Sequence, residues 1–127
     1  MIIFNGLEDY GLLLLRLVVG IIFLYHGVPK LSGKHGGFMI LIGILEGLSA
    51  LAIIAGLFTE IAGIVLAIIM LGAIYKKMTE WKIPFSSQNA MGWEFDLILL
   101  AVVVALAFLG AGNISVDFVL GYLPIKS

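Results

Sequence analysis

Residues Tyr10 to Val28 read YGLLLLRLVVGIIFLYHGV. Apart from two tyrosines, the ionisable side chains in this run are Arg16 and His26. A bilayer core about 30 Å thick takes about 20 mostly apolar residues as one helical span, and this stretch meets that length. Three further segments have the same character, so spans are predicted over 10–28, 38–57, 60–78 and 93–111. Composition agrees. The chain has 127 residues, of which 62% are hydrophobic and 12% charged, and its mean hydropathy is +1.21. Soluble domains run at about 45–50% apolar and about 25% charged. Spanning strands would be shorter and would alternate in polarity, which these segments do not. The first run also lacks the basic leader of a secretory signal, since Glu8-Asp9 precede it and Arg16 interrupts it.

The expected fold is therefore all-α: one domain over 1–127, built as an antiparallel up-down four-helix transmembrane bundle. Short connections force sequential helices to run in opposite directions. GLFTE at 56–60 is one such turn, with Gly56 closing the second helix and Thr59 capping the third. The connections at 29–37 and 79–92 share one side of the bundle. Lys30, Lys34, Lys76, Lys77 and Lys82 lie on that side and Lys126 on the other. The positive-inside rule then makes the loops cytoplasmic and places both termini outside. Trp81 and Trp93 fit the headgroup level.

Several functions are excluded. A net charge of −1 gives no basic surface for nucleic acid. With no cysteine, thiolate catalysis and Cys-held zinc or iron–sulfur centres are impossible. A bis-histidine haem needs two histidines at matching depth, and only His26 lies near a span while His35 is in a Gly-rich loop. The Glu-x-x-His pairs of a di-iron site, nucleotide-binding fingerprints and nucleophile turns are all missing, so no metal site is expected. A transporter or channel-like oligomer is not excluded, but the lack of inverted repeats ranks it last among the readings.

Ionisable groups at membrane depth cost at least about 2.5–3.5 kcal/mol and face a bundle interior or water. With a rise of about 1.5 Å per residue, Arg16 falls roughly 12 Å deep and Glu46 roughly 16 Å. That makes them candidate partners in an outer-middle layer. His26 and Lys30 form an inner layer, facing Glu94 or Asp96. Glu94 and Asp96 are two residues apart and point to different faces, so one of them faces the core. Two readings stand for these groups. In one, the charges fix helix register, and Glu94 and Asp96 favour a helix start. In the other, Arg16 and His26 donate to a ligand oxygen while Glu46 and Glu94 orient them. Gly20 and Gly27, Gly43 and Gly47, and Gly63 and Ala67 permit either close helix packing or room for a flat ligand.

The run Leu15-Arg16-Leu17, Gly20, Phe23, His26-Gly27, Lys30-Leu31 resembles the first helix of the DoxX family. Glu46 with LAIIAGLFTE at 51–60 resembles its second helix and turn. Gly92, Glu94 and the closing GAGNISVD at 110–117 resemble its fourth helix and end. The resemblance spans about 10–117. It implies a four-span protein of the prokaryotic plasma membrane, similar to a membrane subunit of thiosulfate:quinone oxidoreductase. It carries motif positions onto Arg16, His26, Lys30, Glu46, Glu94, Ser115 and Asp117. The function expected is a redox-associated subunit holding a quinone or similar lipophilic head group, with a partner subunit supplying electrons. Arg16, His26, Glu46 and Glu94 are the expected ligand contacts, supported by Lys30, Asp96, Ser115 and Asp117. The alternative is a non-enzymatic scaffold or chaperone-like protein whose buried charges are structural. Homo-oligomerisation is compatible with either.

Overall fold

A computed structural model describes residues 6–34, 36–87 and 92–121. Expectations involving His35 and Lys126 lie outside the described residues. Among the described residues five helices follow in order: α1 Glu8–Gly27, α2 Gly37–Ala55, α3 Thr59–Thr79, α4 Trp93–Leu109 and the short α5 Val116–Leu120. A 3-10 turn at Val28–Ser32 continues α1, with Pro29 near its start. No strand occurs among the described residues. The bounds of α1 to α4 fall within about two residues of the predicted segments, which is the normal spread for helix ends.

α1 packs on α2, α2 on α3, α3 on α4, and α4 returns to α1. The contacts fix direction within two of these pairs. Gly20 lies against Ala50 and Ile54, Gly27 against Glu46 and Gly43. As numbers rise along α1 they fall along α2, so these two helices run oppositely. Gly63 faces Val103 and Ala107, whereas Lys77 meets Asp96, so α3 and α4 do the same. A Cβ on Gly63 would sit 2.8 Å from the Val103 carbonyl oxygen, and one on Gly43 2.9 Å from that of Gly27. Gly20, Gly27, Gly43 and Gly63 thus serve close helix approach. Gly47 faces open space.

The core consists of Val19, Phe23, Ala50, Ile53, Leu66, Val103 and Leu106 with their neighbours. The outside is apolar as well: Leu14, Val18, Ile21, Leu48, Ile64, Ile68, Ile98 and Phe108 are all exposed. A soluble protein rarely leaves so much contiguous apolar surface in water, whereas lipid accepts it. The helical stretches Glu8–Ser32, Gly37–Ala55 and Thr59–Thr79 are long and apolar enough to cross a membrane. The chain is a membrane protein. α4 is shorter, at 17 residues.

Backbone groups tie the ends together. Gly56 ends α2 in the left-handed conformation, as expected. The cap of α3 differs from expectation. Thr59 is already helical, and Phe58 precedes it at φ 48°. The capping oxygens come from Asp117, which accepts from the Phe58 N–H at 2.6 Å and the Thr59 N–H at 3.1 Å. At the other end, Trp93 and Glu94 donate to the carbonyls of Pro84 and Phe85. That return of the chain starts α4 and leaves no room for a side chain at Gly92.

Candidate functional site

Arg16 is almost wholly buried, at 1% exposure. Its Nε donates to the Ile53 carbonyl at 3.0 Å and Nη2 to that of Ile54 at 3.2 Å. Nη1 donates to Ala111 at 2.6 Å and Ile114 at 2.8 Å. Helix C-termini leave unpaired carbonyls and carry partial negative charge, and one guanidinium serves the end of α2 and the segment that follows α4. The expected pairing of Arg16 with Glu46 does not form. Side chains on a helix lean toward its N-terminus. Gly27, about three turns beyond Arg16 on α1, packs against Glu46, so the two residues stand at different levels, and because α1 and α2 run oppositely their heads lean further apart.

Asp117 and Ser115 belong with Arg16. Asp117 is 4% exposed and caps α3, while its own N–H donates to the Gly56 carbonyl at 2.9 Å. Ser115 Oγ donates to Gly112 O at 2.6 Å and accepts from the Phe118 N–H. Asp9 accepts from the Asn113 N–H at 2.9 Å. These residues join the closing segment to the α2–α3 turn and the start of α1.

A second polar group lies at the opposite end. Glu46 is fully buried, and its Oε2 meets Lys30 Nζ at 2.5 Å. Among the described residues its Oε1 has no hydrogen-bond partner. Lys77 Nζ meets Asp96 Oδ2 at 2.6 Å. A cavity of about 450 Å³ lies between these pairs. Its polar lining is His26, Lys30, Glu46, Lys76, Lys77 and Asp96. Phe23, Met70, Phe95 and Leu99 supply part of the apolar wall. The His26 ring lies 5.9 Å from that of Phe95, centre to centre. Among the described residues Lys76 has no ion-pair partner. Three lysines against two carboxylates leave the lining with a net positive charge.

His26, Lys30, Glu46 and Asp96 are thus brought together, with Glu46, packed against Gly27, on the level of His26. Arg16, Ser115 and Asp117 are not in the cavity wall. Glu94 is only partly buried and lies outside the lining, so Asp96 is the acidic residue of α4 that turns inward. Lys76, Lys77 and Phe95 are additions. The two lysines read as loop-side cations in the sequence. The overlooked signal is their position on the last turn of α3, level with the start of α4. Among the described residues no three His, Asp or Glu side chains gather as a metal ligand set.

Apolar helices around a charged, partly aromatic cavity define a small helical membrane protein with an internal polar site. The chain is 34% identical over 125 residues to "Putative oxidoreductase CatD" of Bacillus subtilis (strain 168), covering 89% of each chain. It belongs to the same family as CatD. It is also 30% identical over 127 residues to an uncharacterized protein of Haemophilus influenzae (strain ATCC 51907 / DSM 11121 / KW20 / Rd), covering 89% of this chain and 95% of that one. No family model matches the chain. No solved structure matches it.

Proposed function

We propose that this protein is a DoxX-like, redox-associated membrane subunit that holds a quinone or similar lipophilic head group in the cavity between α1, α2, α3 and α4. The observation that carries this reading is the unpartnered Glu46 Oε1, fully buried in the wall of an otherwise largely apolar cavity of about 450 Å³. A buried polar atom left unpaired costs about 1–3 kcal/mol or more, so a ligand that pairs it gains correspondingly. Ligand cavities of about 300–1,000 Å³ with few convergent polar groups are typical of small-molecule sites. His26, Lys76 and the Glu46–Lys30 pair hold the head group, and Phe23 and Phe95 flank it. The name of the CatD relative supports a redox setting. In this reading electrons come from a partner subunit.

In this reading α4 is the fourth span of an up-down bundle in a prokaryotic plasma membrane. The lysine-rich loops 29–37 and 79–92 are cytoplasmic and the termini lie outside. The test is direct binding of a decyl-substituted benzoquinone to the full chain in lipid nanodiscs. Binding is expected for the wild type and lost in Ala73→Phe, which fills the cavity. Equal binding by both proteins refutes the site. A second reading, a scaffold with structural charges, is favoured by one observation: all four Arg16 hydrogen bonds go to backbone carbonyls. It predicts no head-group binding at all.

A further inference from the structure

The hydrogen-bonding capacity of the cavity wall is directional. Glu46 is paired through Oε2 with the Lys30 ammonium at 2.5 Å. A carboxylate in such a pair only accepts hydrogen bonds. Its second oxygen is buried and unpartnered. The carboxylate is also fixed in place, because Gly27 allows α1 to lie directly on the Glu46 stem: a Cβ there would be 3.4 Å from that of Glu46. The wall therefore presents an immobile acceptor that lacks a donor among the described residues. On α3, the unpaired Lys76 ammonium offers donors and no acceptor.

From this we infer that the site selects head groups bearing a hydroxyl: the reduced, hydroquinone-type form over the carbonyl-only quinone. The inference rests on the head-group reading above and sharpens it. A ligand hydroxyl donates to Glu46 Oε1, a charge-assisted hydrogen bond. A quinone carbonyl at the same point sets oxygen lone pairs against a carboxylate and leaves Oε1 unpaired. The Lys76 ammonium donates to an oxygen of either form, so it adds affinity without discriminating. The Phe23 and Phe95 walls likewise take both rings.

The test uses the full chain in nanodiscs under anaerobic conditions. Calorimetric titrations with a decyl-substituted benzoquinone and with its two-electron-reduced hydroquinone are compared. The hydroquinone is expected to bind at least about tenfold tighter, the worth of one hydrogen bond to a charged group. Glu46→Gln, whose amide both donates and accepts, is expected to remove that preference; Lys76→Met is expected to weaken both forms and keep it. Should Glu46→Gln fail to fold, the wild-type ratio decides alone. Equal affinities, or tighter binding of the quinone, overturn the selectivity while leaving the head-group reading intact. Binding of neither form overturns that reading itself.

Discussion

Arg16 Nη1 and the carbonyl oxygen of Ala111 lie 2.6 Å apart, joining positions 95 residues distant in the chain. The same guanidinium holds Ile53, Ile54 and Ile114. Arg16 therefore closes the bundle at one end, while the cavity occupies the other. Replacing it leaves four carbonyls without their charged donor. Arg16→Leu is expected to lower stability by on the order of 4 kcal/mol, since hydrogen bonds to a charged group are worth about 1.5–3 kcal/mol each and the neighbours relax in part. Denaturant titration in detergent, followed by circular dichroism, measures it. A variant as stable as the wild type removes the clamp.

Asp117 should behave as a helix cap delivered from a distant segment. Asp117→Ala deprives the Phe58 and Thr59 N–H groups of their acceptor and is expected to cost about 1–2 kcal/mol. Its effect should overlap with that of Arg16→Leu in a double-mutant cycle, because both residues seat the segment 111–117. Strict additivity would separate them.

Two glycines on α2 and its end make a matched comparison. Gly56 adopts φ +73°, and a Cβ there would meet Ser115 and lie 2.9 Å from Arg16 Nη2. Gly47 faces open space in the middle of the helix. Gly56→Ala is expected to destabilise by more than 1 kcal/mol, as a side chain is forced into a left-handed, crowded position. Gly47→Ala is expected to stabilise by about 0.5–1 kcal/mol. Thermal unfolding of the two variants side by side checks the packing of α1, α2 and the closing segment.

The Lys30–Glu46 pair separates architecture from ligand binding. Exchanging both partners of a buried pair for apolar residues is often neutral or stabilising, whereas removing one costs about 3–5 kcal/mol. Lys30→Met with Glu46→Leu is expected to fold with at least wild-type stability and to lose head-group binding. Glu46→Leu alone is expected to be strongly destabilised. A double variant that still binds with wild-type affinity would make the pair architectural.

The helices were legible because apolar runs of spanning length read the same way wherever they occur, and His26, Lys30 and Asp96 were legible as one layer from depth alone. The Arg16–Glu46 pairing was not. Depth counted along each helix assumes aligned ends, whereas Gly20 packs against Ala50 and Ile54 and Gly27 against Glu46, which sets Glu46 about three turns beyond Arg16. Arg16 and Glu46 lean apart, and Lys30 takes the carboxylate. Asp117 as the cap of α3 was hidden for another reason: its acceptors serve N–H groups 58 and 59 positions away, beyond any local capping pattern. Lys76 and Lys77 carried two signals at once. Read as loop charge they set topology, and read as the last turn of α3 they line the cavity.

On the proposed function, the space bounded by His26, Glu46 and Lys76 holds a lipophilic head group. A cryo-electron-microscopy map of the protein extracted gently into nanodiscs with its native lipids tests it most directly. Planar, ring-shaped density is expected in that space, with an oxygen within hydrogen-bond distance of Glu46 Oε1 and an apolar tail leaving between the helices. A cavity closed by its own side chains, or filled by an acyl chain with no polar atom near Glu46, would contradict it.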